Sequence, residues 1–207
     1  MKGIIFDIDG TLWDSSEVIA EAYNSAISEH LEHIDTRISG ADVKRNLGKP
    51  TDAFIKGLYP TLTAEEQKFI TPHFCTAILI ALEKHSVPLF EGVKETFHTL
   101  SKQYELFIVS NCQCGYIEAL LKGTGLGKYV KDYLSNGDTG KPKGTNIQLL
   151  MERNHLTEAV YIGDTKGDQE ACKEAGVPFI WAAYGFGHVT DAKASIQKIT
   201  DLIHYPF

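Results

Sequence analysis

Two aspartates close the first apolar run of this chain, Ile4-Ile5-Phe6-Asp7-Ile8-Asp9-Gly10-Thr11. If the strand persists one step beyond Asp7, the Asp-x-Asp spacing points both carboxylates the same way. Two like charges held that close are unfavourable unless a cation or a proton separates them, which makes a metal the first expectation. Three other polar groups follow apolar runs or open helices further along: Ser110-Asn111, Gly140-Lys141-Pro142-Lys143-Gly144, and Gly163-Asp164-Thr165-Lys166-Gly167-Asp168. In a parallel sheet all of them would gather at the carboxyl edge.

That set is suited to phosphoryl transfer, which needs a nucleophile, neutralisation of phosphate charge and a proton donor for the leaving oxygen. Asp7 is a candidate carboxylate nucleophile. Asp9 is a candidate acid for the leaving alcohol and then a base for water. Asp164 can share Mg²⁺ with Asp7 and the backbone carbonyl of Asp9, since magnesium takes a few carboxylates, water and phosphate oxygens. Ser110 and Lys143 (or Lys141) can hold the transferring phosphoryl group, with Asn111 beside them. Asp168 can hold a metal-bound water or position a lysine. Blander roles compete: Ser110 as a helix cap, Asp168 as a favourable charge in a first helical turn, Asn111 as a loop-shaping residue.

The elements that would position these groups come in two kinds. Residues 14 to about 86 read as helix only. Asp14 and Glu17 look like a capping-box start, and Val18, Ile19, Ala22, Tyr23, Ala26, Ile27 and Leu31 form a helical stripe. Shorter helices are expected over 41–47 and 52–58, broken by Gly48-Lys49-Pro50. A long one starts at Thr63, with Phe69, Phe74, Ile78 and Leu82 on its buried side. From Val87-Pro88 onward strands and helices alternate: helix 93–102, strand 106–109, helix 116–121, strand near 133–134, helix 146–154, strand 160–162, helix 169–175, strand 178–181 and a last helix over 192–202. Alternation of this kind implies βαβ units and a parallel sheet. The expected fold class is therefore α/β, a parallel sheet with helices on both faces (residues 1–13 and 88–207) interrupted after its first strand by a small all-helical insert (14–87).

The motifs carry a resemblance. Asp7-Ile8-Asp9-Gly10-Thr11-Leu12 with Asp14-Ser15 resembles the first motif of the haloacid dehalogenase superfamily. Val109-Ser110-Asn111 resembles its second, the lysine turn its third, and Gly163-Asp164-Thr165-x-x-Asp168 its fourth, in the right order across residues 4 to 168. The resemblance implies a Rossmann-like core, Mg²⁺ dependence, metal-binding roles for Asp7, Asp9, Asp164 and Asp168, and an aspartyl-phosphate intermediate. The helical insert is similar to the small cap of the phosphoglycolate phosphatase and β-phosphoglucomutase branch, and Gly48-Lys49-Pro50 to that cap's specificity loop, which makes Lys49 a candidate substrate contact. The third motif departs from the common Lys-Pro-x-Pro form, because Gly144 stands where the second proline would be. Lys141 fits the Lys-Pro dipeptide; Lys143 fits the register into the following helix, with Ile147 as apolar anchor.

Bulk properties set the outer limits. The chain has 207 residues and a net charge of −7, against a general nucleic-acid binder, which shows a basic patch. No apolar run reaches the roughly 20 residues that span a bilayer, and Met1-Lys2-Gly3 leads straight toward a strand, so no signal peptide is expected. The four cysteines form no C-x-x-C pair and read as reduced thiols of a cytoplasmic protein. The expectation is a Mg²⁺-dependent phosphatase of a small phosphorylated metabolite, monomer or homodimer. A phosphosugar mutase with the same catalytic groups is the alternative, and a non-catalytic binding module a more distant one.

Overall fold

A computed structural model describes residues 2–85 and 87–207. Six strands form one wholly parallel sheet in the order β3-β2-β1-β4-β5-β6: β1 Lys2–Phe6, β2 Glu105–Ser110, β3 Val130–Ser135, β4 Glu158–Gly163, β5 Phe179–Ala182 and β6 Ser195–Ile196. The first strand lies at the centre because its run is apolar on both faces, as a doubly covered strand must be. Ile4 and Phe6 point to one side with Ile108, Ile162 and Ile180; Ile5 points to the other with Phe107, Val109 and Tyr161.

Nine α-helices are seen among the described residues. Four of them, α1 Ser16–His30, α2 Gly40–Lys44, α3 Thr51–Leu58 and α4 Ala64–Lys84, fall between β1 and the rest of the sheet. The others are α5 Val93–Leu100, α6 Tyr116–Thr124, α7 Asn136–Thr139, α8 Lys143–Arg153 and α9 Lys166–Ala175. Phe97 of α5 meets Phe6 at 4.7 Å between ring centroids on the first face, while Ile147 and Leu150 of α8 and Ala171 and Cys172 of α9 cover the second. In the helical insert, Tyr23 of α1 stacks on Phe74 of α4 at 4.0 Å and 9°. The insert leaves and rejoins the sheet through two neighbouring strands of chain: Trp13 bridges to Leu89, and the Phe90 amide donates to the Leu12 carbonyl at 2.9 Å.

Three local expectations change. Phe69, placed on the buried side of the long helix, is 52% exposed; it packs edge-on against His30 and beside His73 instead. The last helix expected over 192–202 is a short strand, β6, followed by a 3-10 turn over Ile199–His204, because pairing with β5 at Trp181 and Ala182 captures Ser195 and Ile196 first. The capping box between Asp14 and Glu17 does not form. Asp14 accepts from the Ser16 amide at 3.1 Å and pairs with Lys44 of α2 at 2.6 Å. The structure adds a short helix, α7, between β3 and the lysine turn, and Ser135 and Asp138 give it a full capping box.

Candidate active site

The polar groups meet at the carboxyl edge of the sheet because Asp7, Ser110 and Asp164 end or directly follow central strands, and Lys143 opens the helix that comes after β3 and α7. Asp7 follows β1, and its backbone amide still donates to Ile162 of β4 at 2.9 Å. Asp164 follows β4, Ser110 ends β2, and Lys143 opens α8 just past the tip of β3.

Lys143 is the hub. Its ammonium lies 2.6 Å from Asp168 Oδ1 and 3.0 Å from Asp7 Oδ1, with all three side chains buried. Burial alone would lower the lysine's pKa, but the two carboxylates outweigh it and hold the group above the usual ammonium value. Asp168 is fixed in turn: its Oδ2 accepts from the Thr165 amide at 2.9 Å and the Thr165 hydroxyl at 2.7 Å, completing the cap of α9. Tyr161 donates to the Val109 carbonyl at 2.7 Å, and its ring faces Lys143 at 5.7 Å. The helix-cap role and the lysine-positioning role of Asp168 are thus the same geometry.

Lys141, the rival in that turn, is exposed. Its backbone rather than its ammonium is engaged: its carbonyl accepts from Asn136 at 3.0 Å and Asn146 at 3.1 Å.

Asp7, Asp164 and Asp168 each offer an oxygen within 4.8 Å of the others. Burial raises Asp7 to about 7, opposed by Lys143 and assisted by the charge of Asp168. Burial likewise raises Asp164 to about 8, with Asp168 and Asp7 adding to it and the Phe186 and Gly187 amides opposing. Those amides donate to Asp164 Oδ2 at 2.8 and 3.1 Å. Oδ1 of the same carboxylate is buried with no hydrogen-bond partner, a state that is costly unless something else engages the atom. A hard divalent cation fits that donor set: clustered carboxylate oxygens, one of them unpaired, and no nitrogen or sulfur ligand among them. The Gly185-Phe186-Gly187 loop carries no side chain that could act chemically. Its signal is glycine itself: a Cβ at Gly185 would lie 2.3 Å from Asp164 Cβ and 2.5 Å from the Gly10 carbonyl oxygen, and Gly10 has φ +81°.

The carboxylate of Asp9 is not part of the three-aspartate cluster. Its Oδ1 accepts from the Trp13 indole at 2.9 Å, the Ser15 hydroxyl at 2.6 Å and the Tyr116 hydroxyl at 2.9 Å. Burial raises its pKa against the pull of these three bonds. A metal role for Asp9 would fall to its backbone carbonyl. The polar ends of Trp13 and Tyr116 carry information that hydrophobic pattern hides.

Ser110 is buried and lines, with Asp7 and Asp9, a small cleft of about 60 Å³. Ile19, Tyr23, Phe54 and Ile78 of the insert wall its far side. Lys49 is at the cleft but exposed, its ammonium 2.7 Å from Asn46 Oδ1. Asn111 Nδ2 donates to the Gly48 carbonyl of the insert at 2.8 Å, and its Oδ1 is buried without a hydrogen-bond partner.

Residues 4–182 match the family of haloacid dehalogenase-like hydrolases. The chain belongs to that family. It is an enzyme, and phosphatases are among the relatives that match it along nearly its whole length. It is 25% identical to a phosphoglycolate phosphatase of Escherichia coli, over 98% of this chain and 91% of the relative. With a phosphoglycolate phosphatase of Vibrio parahaemolyticus it shares 28%, over 94% and 89%. Among solved structures, a haloacid dehalogenase-like hydrolase of Streptococcus pneumoniae superposes with a TM-score of 0.85 at 19% identity, covering 98% of this chain and 97% of that one. The CbbY protein of Rhodobacter sphaeroides, in complex with phosphate, gives 0.81 at 16% identity, covering 97% and 95%. These structural likenesses concern the fold. No helix among the described residues is long and apolar enough to cross a membrane.

Proposed function

We propose that this hydrolase is a Mg²⁺-dependent phosphatase of a small phosphomonoester, working through a phosphoaspartate on Asp7. The observation that carries this reading is the buried set Asp7, Lys143, Asp168 and Asp164, in which one carboxylate oxygen, Asp164 Oδ1, is left without a partner beside the nucleophile candidate. Asp7, Asp164 and the backbone carbonyl of Asp9 would hold the cation, with Asp168 acting through Lys143 or a bound water. Bound there, Mg²⁺ would offset the charge of the phosphate and of the crowded carboxylates.

The chain's own groups have distinct tasks. Lys143 holds one oxygen of Asp7 and so orients the other for attack on phosphorus. As the new Asp7–phosphorus bond forms, the ester P–O bond breaks, and the leaving oxygen takes the proton of Asp9. Asp9 then removes a proton from water, whose oxygen attacks the phosphoaspartate; phosphate leaves and Asp7 is restored. Ser110 and Lys143 hold the phosphoryl oxygens. Residues 14–87 serve as a cap on a core of residues 1–13 and 88–207, excluding bulk water from the first transfer, and Lys49 meets the leaving group. The names of the sequence relatives make phosphoglycolate the first substrate to try. The free state of all four thiols supports a cytoplasmic location.

Phosphate release from a panel of phosphomonoesters, with Mg²⁺ and with EDTA, tests the reading beside Asp7→Asn. Release that needs Mg²⁺ and vanishes in the variant is expected. Turnover retained by the variant sinks the mechanism, and interconversion of sugar phosphates without release would replace the phosphatase by a mutase.

A further inference from the structure

We infer that Tyr116 is a positioning residue for the acid/base carboxylate, holding Asp9 by Oδ1 so that Oδ2 is the oxygen that trades a proton with the substrate. The inference rests on the acid/base reading of Asp9 given above.

Every hydrogen bond the structure gives the Asp9 carboxylate falls on Oδ1: Trp13 Nε1 at 2.9 Å, Ser15 Oγ at 2.6 Å and Tyr116 Oη at 2.9 Å. One carboxylate oxygen has room for about two such bonds, so the donors gathered at Oδ1 fill it, and they fix the plane and direction of the group. Oδ2 keeps its lone pairs, at the edge of the cleft that Asp9 lines with Asp7, Ser110 and Tyr116. A proton carried for a leaving oxygen belongs on Oδ2, because a proton on Oδ1 would collide with the donors already there.

Tyr116 differs from the other two donors in where it comes from. Trp13 and Ser15 belong to the same short stretch of chain as Asp9 and move with it. Tyr116 is the first residue of α6, more than a hundred residues on, and approaches from the side of β2. Gly115, at φ +84°, makes the left-handed turn that brings Tyr116 into the first turn of that helix. The hydroxyl also lies 2.8 Å from Ser15 Oγ, so its single proton goes either to Asp9 directly or to the serine, which itself donates to Asp9; both routes hold Oδ1. The ring meets Trp13 edge-on at 5.7 Å and 86°. One rigid side chain thus ties the carboxylate, the serine and the indole to the core, and its body is only 3% exposed. A tyrosine kept solely for packing would not need its hydroxyl shared between two groups of the acid/base segment.

The test compares substrates that need an acid with substrates that do not. An alkyl phosphate requires protonation of its leaving oxygen; p-nitrophenyl phosphate, with a good leaving group, hardly does. The kcat/KM ratio of the two reports the first transfer only. Tyr116→Phe, which keeps the ring, is expected to lower the alkyl-to-aryl ratio about tenfold, the size expected for losing one hydrogen bond to a charged group. Asp9→Asn calibrates the assay by lowering the same ratio further. A Tyr116→Phe enzyme that loses equally on both substrates, or on neither, overturns the positioning role. If Asp9→Asn itself leaves the ratio where it was, the acid/base reading of Asp9 has failed instead. Trp13→Phe guards against a folding defect at Tyr116: it deletes a second donor to Oδ1, keeps an aromatic ring, and must shift the ratio in the same direction if orientation through Oδ1 is what matters.

Discussion

The Lys143 ammonium stands 2.6 Å from Asp168 Oδ1, and neither side chain has appreciable contact with solvent. A buried pair of this kind is weak evidence for net stability, since desolvation offsets much of the attraction. Removing one partner is a different matter, because it leaves the other charge buried alone, at about 3–5 kcal/mol. Here the remainder would be worse than a lone charge, since Asp7 and Asp164 share the same space.

Lys143→Met should therefore destabilise the metal-free protein by about 3–5 kcal/mol and abolish turnover. The loss should be smaller at pH 5 than at pH 8, because Asp7 can take up a proton at the lower pH. Urea unfolding at both pH values checks this. Equal losses at the two would mean that Lys143 is held by packing and not by the carboxylates.

The same crowding sets a pH dependence. In the metal-free fold Asp7 titrates near 7 and Asp164 near 8, each raised from an ordinary value of 3.8 by burial. Between those limits the folded chain binds more protons than the unfolded one, so stability is greatest below about pH 4 in these groups and falls as pH rises through 7 to 8. The slope is at most roughly 1.4 kcal/mol per pH unit for each group protonated only in the fold. Urea midpoints in EDTA at pH 5, 6, 7 and 8 should decline in that order. Excess Mg²⁺ should flatten the decline, since a bound cation favours the ionised carboxylates; a slope indifferent to the metal would argue that the cluster does not bind it.

Asp164→Asn separates stability from activity. The amide can still accept from Phe186 and Gly187 through its oxygen, and its NH₂ replaces the unpaired Oδ1. One of three adjacent buried carboxylates is thereby removed. The expected result in EDTA is a melting temperature a few degrees above that of the parent, with activity lost. The parent should gain thermal stability from Mg²⁺ and the variant little or none. A variant that gains as much as the parent would take Asp164 out of the metal site.

How much of this was legible beforehand follows from what each group is made of. Asp7, Ser110 and Asp164 could be placed because they end or follow strands, and a parallel sheet sends such residues to one edge; the turn before α8 offers both Lys141 and Lys143, and only burial separates them. The backbone donors to Asp164 could not, because Phe186 and Gly187 act through amides that every residue has. Trp13 and Tyr116 were hidden for the opposite reason: their rings satisfy the hydrophobic pattern so well that the pattern says nothing of the N–H and O–H at their tips. Residues 192–202 read as helix on local preference, and strand pairing at Ser195 and Ile196 overrode it. Asn111 follows Ser110 in the sequence, and its Nδ2 bonds the helical insert, a contact across 63 residues of sequence that no local signal announces.

That contact leads to a last expectation. Gly48 sits where the insert comes down on the sheet: its carbonyl takes the Asn111 amide at 2.8 Å, its φ is +85°, and a Cβ there would lie 3.1 Å from Thr165 Cγ2. Alanine would be strained in that conformation by about 1–2 kcal/mol and would press on the residue that caps Asp168. Asn111→Ala removes the bond without the strain, at about 1 kcal/mol. If the bond serves to hold the insert over the cleft, Asn111→Ala should raise KM about fivefold with kcat changed less. Gly48→Ala should raise KM further and lower kcat as well, because Thr165 holds the aspartate that holds Lys143. Steady-state kinetics on one phosphomonoester decides it. A fall in kcat alone for Asn111→Ala would place that side chain on the phosphate and not on the cap.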